Sequence, residues 1–174
     1  MEPPKQQQDI ILDSNVIQYL GDSKISTELL KYLIELQSSN FILSISNISI
    51  CELLSGTTKK QEAEGIQILS IFKRYEINDS VLIGAAQLFT LYSNAKIPND
   101  QVSVADRIIS STSIITGSLV LTSDVNDFPR PFFKEVAEKL IFYKYKNKTQ
   151  MRILQVLSPN TEIINELFSR RPAG

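Results

Sequence analysis

Four carboxylates stand beside apolar segments in a pattern that could bring them together once the chain folds. Two follow apolar runs with strand character, and two lie in segments with helical spacing. The four are Asp13 and Asp124 after the runs, and Glu52 and Asp106 in the helical segments. Acids at the carboxyl ends of parallel strands point into the crevice where open α/β sheets bind ligands. Because four negative charges there would repel one another, the pattern predicts a site for a hard divalent cation, which prefers oxygen ligands.

Each of these acids also has a structural explanation that needs no metal. Asp13 precedes a predicted helix, and Asp is a preferred N-cap residue. Ser103 and Asp106 have the spacing of a capping box, and Asp124 could cap a short turn. Glu52 is the hardest to explain in this way. It stands in an apolar helix where we expect burial, and an unpaired buried charge costs several kcal/mol.

The composition restricts the chemistry that the chain can perform. The 174 residues include no histidine and one cysteine, which excludes Ser-His-Asp and Cys-His catalysis and zinc sites built on His. We predict that Cys51 is a small core residue. Catalysis must therefore use carboxylates, hydroxyls and water activated by a metal ion. The polar groups that could orient a ligating carboxylate or a water are Ser14, Asn15 and Ser123.

The charge balance predicts an acidic pocket on an otherwise basic molecule. The chain has 18 Lys and Arg against 19 Asp and Glu. If the four acids and Asp127 form the site, 14 acids remain against the 18 cations, a net charge of +4. An acidic pocket with a basic rim suits a polyanion such as RNA, although a basic run can equally be a solvated surface. The candidate RNA contacts are Arg107, Arg130, Lys134, Lys144, Lys146 and Lys148.

Apolar runs alternate along the chain with segments of 3.6-residue periodicity. This pattern is typical of strands and helices around a parallel sheet, and predicts a three-layer α/β/α sandwich with a central, mostly parallel sheet. The predicted strands are 9–12, 41–45, 74–77, 119–122 and 153–157. The predicted helices are 15–20, 24–38, 47–55, 60–73, 80–94, 103–116 and 160–170. Alternation at Ile141, Tyr143 and Tyr145 predicts a further strand that pairs with 150–157 in a hairpin.

The length and the local composition predict the domain organisation. We expect a disordered segment at 1–8, which is polar and rich in Pro and Gln, followed by a single domain over 9–174. The first residues do not resemble a signal peptide, and no stretch reaches the roughly 20 apolar residues that span a bilayer. A cytoplasmic location and no membrane association are the expectations.

Three stretches resemble the motifs of PIN-domain ribonucleases, most closely the VapC-type toxins of toxin–antitoxin pairs. They are Ile-Ile-Leu-Asp-Ser-Asn-Val-Ile at 10–17, Ser-Asn-Ile-Ser-Ile-Cys-Glu-Leu at 46–53, and 106–128 with its ending Thr-Ser-Asp-Val-Asn-Asp-Phe. The resemblance extends over 9–128, with a last strand at 153–157. It implies a PIN-like fold, dependence on Mg²⁺ or Mn²⁺, and endonucleolytic cleavage of single-stranded or looped RNA. By matching position, it implies that the catalytic, metal-binding acids are Asp13, Glu52, Asp106 and Asp124, with Asp127 secondary and Ser14, Asn15 and Ser123 supporting.

The resemblance also implies partners, and the chain departs from the family pattern at two places. A homodimer and a cognate antitoxin that occludes the acidic pocket are expected. An insertion at 129–152 stands where the family runs directly into its final strand, and it could carry RNA contacts, bind an antitoxin or extend the sheet. Arg107 follows Asp106 where an apolar or small residue is more usual, and it could meet a substrate phosphate or lie on the surface.

Two other functions compete with the metal-dependent endoribonuclease. A haloacid-dehalogenase-type phosphatase also begins with a strand and an Asp, but it needs a second acid two residues later, where this chain has Asn15. A non-catalytic PIN-like module for RNA binding or scaffolding is the third possibility. Such modules typically lose some of the acids, whereas all four are present here.

Overall fold

Six strands form one central sheet with helices on both of its faces. The computed structural model describes residues 7–98 and 100–169, with side chains described up to residue 165. The strands are β1 (Gln8–Leu12), β2 (Phe41–Ser46), β3 (Lys73–Tyr75), β4 (Leu119–Thr122), β5 (Phe133–Tyr145) and β6 (Lys148–Pro159). The helices are α1 (Ser14–Gln18), α2 (Ser26–Ser38), α3 (Asn47–Leu54), α4 (Lys59–Leu69), α5 (Asp79–Asn94), α6 (Val104–Thr116) and α7 (Thr161–Ser169).

The strand order in the sheet is β3-β2-β1-β4-β6-β5. The first four strands are parallel, and β6 pairs antiparallel with both β4 and β5. Side chains of β1 alternate between two apolar cores: Ile10 and Leu12 face one core, and Ile11 faces the other. Each such buried aliphatic side chain contributes about 1.5–3 kcal/mol. The predicted three-layer α/β/α sandwich with a mostly parallel sheet is therefore confirmed.

The parallel strands bring several predicted site segments to one edge of the sheet. The carboxyl ends of β1, β2 and β4 lead into α1, α3 and a 3₁₀ turn at Val125–Asp127, respectively. Helix α6 must run back across the sheet to reach the start of β4, so its first turn lies at this same edge. Gly117 ends α6 in the left-handed conformation, with φ of 69°, which glycine adopts without strain.

The region predicted to hold an insertion forms a long hairpin of β5 and β6. Its turn is Lys146 and Asn147, whose φ values of 47° and 60° fit a type I′ turn. The predicted hairpin is confirmed, but β5 begins at Phe133, much earlier than the predicted strand. A bulge shifts the register between Glu135 and Ala137, and this shift breaks the two-residue alternation from which a strand is predicted.

Other expectations differ in detail. Cys51 is exposed, so its prediction as a core residue is wrong; the buried face of α3 carries Ser49 instead. Helix α4 ends at Leu69 rather than at residue 73. Most of the predicted disordered segment, and residue 170 of the last predicted helix, lie outside the described residues; Gln8 begins β1. None of the described helices is long and apolar enough to cross a membrane.

Candidate active site

Asp13 is the most buried acid of the candidate site, with 2% of its surface exposed. It occupies the N-cap position of α1, but its side chain makes no capping hydrogen bond, so the structural explanation offered by the sequence is wrong. Its Oδ2 accepts hydrogen bonds from Asn15 Nδ2 at 2.6 Å and from Thr122 Oγ1 at 2.7 Å. The carboxylate is thus held in a fixed orientation at the junction of β1 and α1.

The environment of Asp13 disfavours its negative charge. Burial raises the pKa of Asp13 to about 7, and the nearby charges of Asp106 and Glu52 raise it further. The hydrogen bond from Thr122 lowers this pKa, but it does not offset burial. A carboxyl group in such surroundings gains stability when a positive charge is placed beside it.

Glu52 is exposed on α3, so the expected burial of this acid is not observed. Its Oε2 accepts a hydrogen bond from Ser14 Oγ at 2.5 Å. Ser14 Oγ also lies 3.0 Å from Ser49 Oγ, and both serines are buried. The serine directly after Asp13 therefore connects the first acid segment to the second.

Asp106 caps helix α6 and also adds negative charge to the acidic pocket. Its Oδ2 accepts a hydrogen bond from the backbone N–H of Ser103, and its own N–H donates to Ser103 Oγ, so the predicted capping box is confirmed. The same carboxylate is close enough to Asp13 and Asp127 to raise the pKa of both. Its position in the first turn of α6 serves the helix and the acidic pocket together.

Asp124 caps the 3₁₀ turn, as its structural explanation predicted. Its Oδ1 accepts hydrogen bonds from the backbone N–H of Asn126 at 3.0 Å and from Asn126 Nδ2 at 2.9 Å. The side chain is exposed at the edge of the pocket. Its charge raises the pKa of Asp127, which shows that the cap and the acidic pocket are neighbours.

Asp127 is more central than its secondary role in the sequence suggested. Burial raises its pKa to about 7, and the charges that raise it further come from Asp106, Asp124, Asp13 and Glu52, in that order. Within residues 7–98 and 100–165, no hydrogen bond to its carboxylate is found. Asp127 is therefore a half-buried acid that faces four other acids without a compensating donor.

Asn15 and Ser123 connect the ends of the two central strands. Asn15 Oδ1 accepts from the backbone N–H of Ser123 at 3.1 Å, while its amide nitrogen donates to Asp13. Ser123 Oγ lies 3.3 Å from Tyr19 OH. Sequence reasoning missed Thr122, which is buried and donates to Asp13; its only sequence signal is a hydroxyl on the last strand residue before the acid segment.

The donor set fits a hydrated hard cation better than a tightly caged one. No group of three or more acidic or Cys side chains in the described part of the chain is arranged to hold a metal ion by itself. One oxygen in each of Asp13, Glu52, Asp106 and Asp124 already accepts hydrogen bonds from the protein. Mg²⁺ typically keeps several waters and takes only one or two carboxylates directly. The carboxylate of Asp127, which accepts no hydrogen bond from the described residues, and the raised pKa of Asp13 fit such an ion.

The candidate RNA contacts are dispersed over the surface. Arg107 turns away from the acids: it donates to the carbonyl of Val102 at 2.7 Å and lies over the ring of Phe89. Arg130 is exposed, 3.7 Å from Glu135. Lys134 pairs with Ser158 near one end of the hairpin, whereas Lys144, Lys146 and Lys148 surround its turn.

Comparison with known families identifies the class of protein. The profile of the PIN domain family matches residues 10–139, which include most of β1, all of β2 to β4 and all five acids, and the chain belongs to this family. No curated protein sequence matches the chain significantly.

Solved structures with the same fold come from toxin–antitoxin complexes. A toxin–antitoxin complex from Klebsiella pneumoniae is similar with a TM-score of 0.55 and 21% identity, over 70% of this chain and 92% of that chain. VapBC2 from Rickettsia felis bound to promoter DNA is similar with a TM-score of 0.57 and 20% identity, over 70% of this chain and 91% of that chain. DNA-bound VapBC from Salmonella typhimurium is similar with a TM-score of 0.59 and 19% identity, over 71% of this chain and 92% of that chain. These similarities establish the shared fold, and they leave nearly a third of this chain without a counterpart.

Proposed function

We propose that this chain is a metal-dependent endoribonuclease that cuts single-stranded or looped RNA and acts as the toxin of a toxin–antitoxin pair. The observation that carries the proposal is the grouping of five carboxylates at one edge of the sheet, where the charges of the other four act on Asp127. Membership of the PIN domain family supports the nuclease assignment. The similarity to solved toxin–antitoxin complexes supports the toxin assignment.

The proposed cofactor is Mg²⁺ or Mn²⁺. The residues that would hold it, directly or through water, are Asp13, Glu52, Asp106, Asp124 and Asp127. When bound, the ion supplies activation of a water near neutral pH and neutralises charge that develops on the phosphate. Without histidine, the chain lacks the side chain that most often serves as a general base near neutral pH.

The protein's own contribution is to orient the acids and to set their charge. Asn15 and Thr122 fix the carboxylate of Asp13, and Ser14 fixes that of Glu52. In other metal sites, loss of such a supporting hydrogen bond typically lowers metal affinity or activity by about 10- to 100-fold. Because Asn15 stands where a phosphatase of the haloacid-dehalogenase type needs an acid, and donates to Asp13, the geometry favours the nuclease.

The proposed partners follow from the toxin assignment. A cognate antitoxin would silence the enzyme by covering the acidic pocket, and two copies of the chain would form a homodimer. The proposed location of the toxin and of its RNA substrate is the cytoplasm. The complexes from Klebsiella and Salmonella support the antitoxin part of this proposal, since they contain both components of such a pair.

Metal-dependent cleavage of RNA is the direct test of the function. We expect the purified chain to cut a labelled single-stranded RNA internally with Mg²⁺ or Mn²⁺, and cleavage to stop when EDTA is added. A duplex of the same sequence should be cut much more slowly. Internal cleavage is read from the lengths of the products on a denaturing gel.

The competing functions give different outcomes in the same assay. Release of phosphate from a small monoester, without cleavage of RNA, would assign a phosphatase. Binding of RNA without cleavage under any divalent cation would assign a non-catalytic module. Either result contradicts the proposed endoribonuclease.

A further inference from the structure

The β5–β6 hairpin extends past the edge of the sheet that carries the acids. The last residue of β4, Thr122, pairs with Gln155 of β6. Because β6 runs antiparallel to β4, its residues 148–154 continue beyond the carboxyl end of β4. At about 3.3 Å per residue, this part of the hairpin projects by roughly 20 Å. We call residues 140–154 the arm; it stands beside the acidic pocket.

The arm is basic, and its cations are not neutralised. Residues 140–160 contain Lys144, Lys146, Lys148 and Arg152 and no Asp or Glu. All four side chains are exposed, and none forms an ion pair with any other described residue. Lys139, at the base of the arm, differs because Glu35 lies 2.6 Å from its ammonium group. A group of four unpaired positive charges therefore lies on the projecting part of the hairpin.

Aromatic rings contact two of these cations and one cation from outside the arm. Lys24, from the segment between α1 and α2, lies 4.5 Å from the ring centroid of Tyr145, and Lys146 lies 5.3 Å from it. Arg152 lies 5.7 Å from the centroid of Tyr19. Cations held in this way lose less conformational freedom when they bind a ligand.

Tyr19 connects the arm to the acidic pocket. The hydroxyl of Tyr19 lies 3.3 Å from Ser123 Oγ. Ser123 in turn donates its backbone N–H to Asn15, which donates to Asp13. A strand that lies along the arm would thus arrive beside the most buried acid of the site.

We propose that the arm, together with Lys24 and Tyr19, binds the backbone of a single-stranded RNA and leads it into the acidic pocket. The proposal rests on the proposed function and names the surface that holds the substrate. Rows of cations with interleaved aromatic rings bind single strands by pairing with phosphates and stacking on bases. The acidic pocket alone repels a polyanion, so a basic surface beside it provides the attraction that the pocket lacks. RNA is favoured over an acidic peptide because the arm leads to the pocket in which the proposed function cleaves RNA.

The test measures RNA binding directly, in EDTA, so that cleavage plays no part. A fluorescein-labelled 12-nucleotide single-stranded RNA is titrated with the wild type and with the triple variant Lys146→Gln, Lys148→Gln, Arg152→Gln, and anisotropy is followed. We expect the triple variant to bind on the order of 10- to 100-fold more weakly. The slope of log affinity against log salt concentration should become less steep by about 2, since each phosphate contact on a single strand contributes about 0.7. The control is the triple variant Lys31→Gln, Lys60→Gln, Arg74→Gln, which removes the same three charges from exposed residues of α2, α4 and β3 and should bind like the wild type.

The outcomes separate this inference from the proposed function. Wild-type affinity and slope in the triple variant, with an unchanged melting temperature, would overturn the role of the arm while leaving cleavage of RNA intact. An equal loss in the control triple variant would overturn it as well, because binding would then follow net charge rather than position. A polyglutamate peptide that binds the arm more tightly than RNA would assign it to a protein partner instead. Weaker binding in the triple variant supports the arm even if no cleavage is found.

Discussion

Asp13→Asn is expected to abolish cleavage of RNA by this protein, with a loss of about 10³-fold or more, or about 4 kcal/mol of transition-state stabilisation. The fold should remain intact, because the amide oxygen can still accept the hydrogen bonds from Asn15 and Thr122. The amide nitrogen, however, cannot ligate a cation, and the charge at the most buried point of the pocket is lost. Initial rates on a labelled single-stranded RNA with Mg²⁺ give the size of the loss.

The matched control is Glu28→Gln, which removes one negative charge from the exposed surface of α2. Among the described residues, Glu28 pairs with Lys31 alone, at 2.7 Å, and an exposed pair of this kind contributes little to stability. We expect this variant to cleave RNA like the wild type. Cleavage by Asp13→Asn within a few-fold of the wild type would contradict the assignment of Asp13 to the active site.

The second large effect concerns stability in the absence of metal, which we expect to fall as the pH rises from about 4 to 8. The pKa of Asp13 is about 7 in the folded chain and 3.8 as an ordinary carboxyl group. Between these values the folded state binds more protons than the unfolded state, so the free energy of unfolding decreases as the pH rises through this window. For Asp13 alone the decrease amounts to at most about 4 kcal/mol, at 1.36 kcal/mol for each pKa unit.

Urea unfolding in EDTA at pH 5 and pH 8 measures this decrease. The comparison is between the wild type and Asp13→Asn, in which this titrating group is absent and Asp127 loses one of the charges that raise its pKa. We expect the variant to be more stable than the wild type at pH 8 and closer to it at pH 5. If the free energy of unfolding changed with pH in the same way in both proteins, the raised pKa inferred for Asp13 from its burial and its neighbours would be wrong.

The sequence was sufficient for the central part of the fold and for placing four acids at one edge of the sheet. Buried parallel strands are nearly continuous apolar runs, so β1 and β4 and the acids after them could be located. The capping box of Ser103 and Asp106 is likewise a local pattern. Such features depend on residues close in sequence, which is why they could be predicted.

Features that depend on tertiary packing were predicted poorly. Helix α3 is apolar on more than one face, so the sequence could not show that Cys51 and Glu52 face outwards and that Ser49 is buried. The central position of Asp127 comes from the 3₁₀ turn that carries it back among the other acids. Thr122 has its role only because β4 lies beside β1, so that its hydroxyl reaches Asp13 across the two strands.

Binding of Mg²⁺ at pH 8, measured by isothermal titration calorimetry, tests most directly whether carboxylates remote in sequence share one cation. The proteins to compare are the wild type, Asp13→Asn, Asp127→Asn and the surface control Glu28→Gln. We predict that Mg²⁺ binds the wild type and the control alike, and that each change in the pocket weakens binding by about 10-fold or more. Equal affinity in all four proteins, or no binding to the wild type, would contradict a shared cation site.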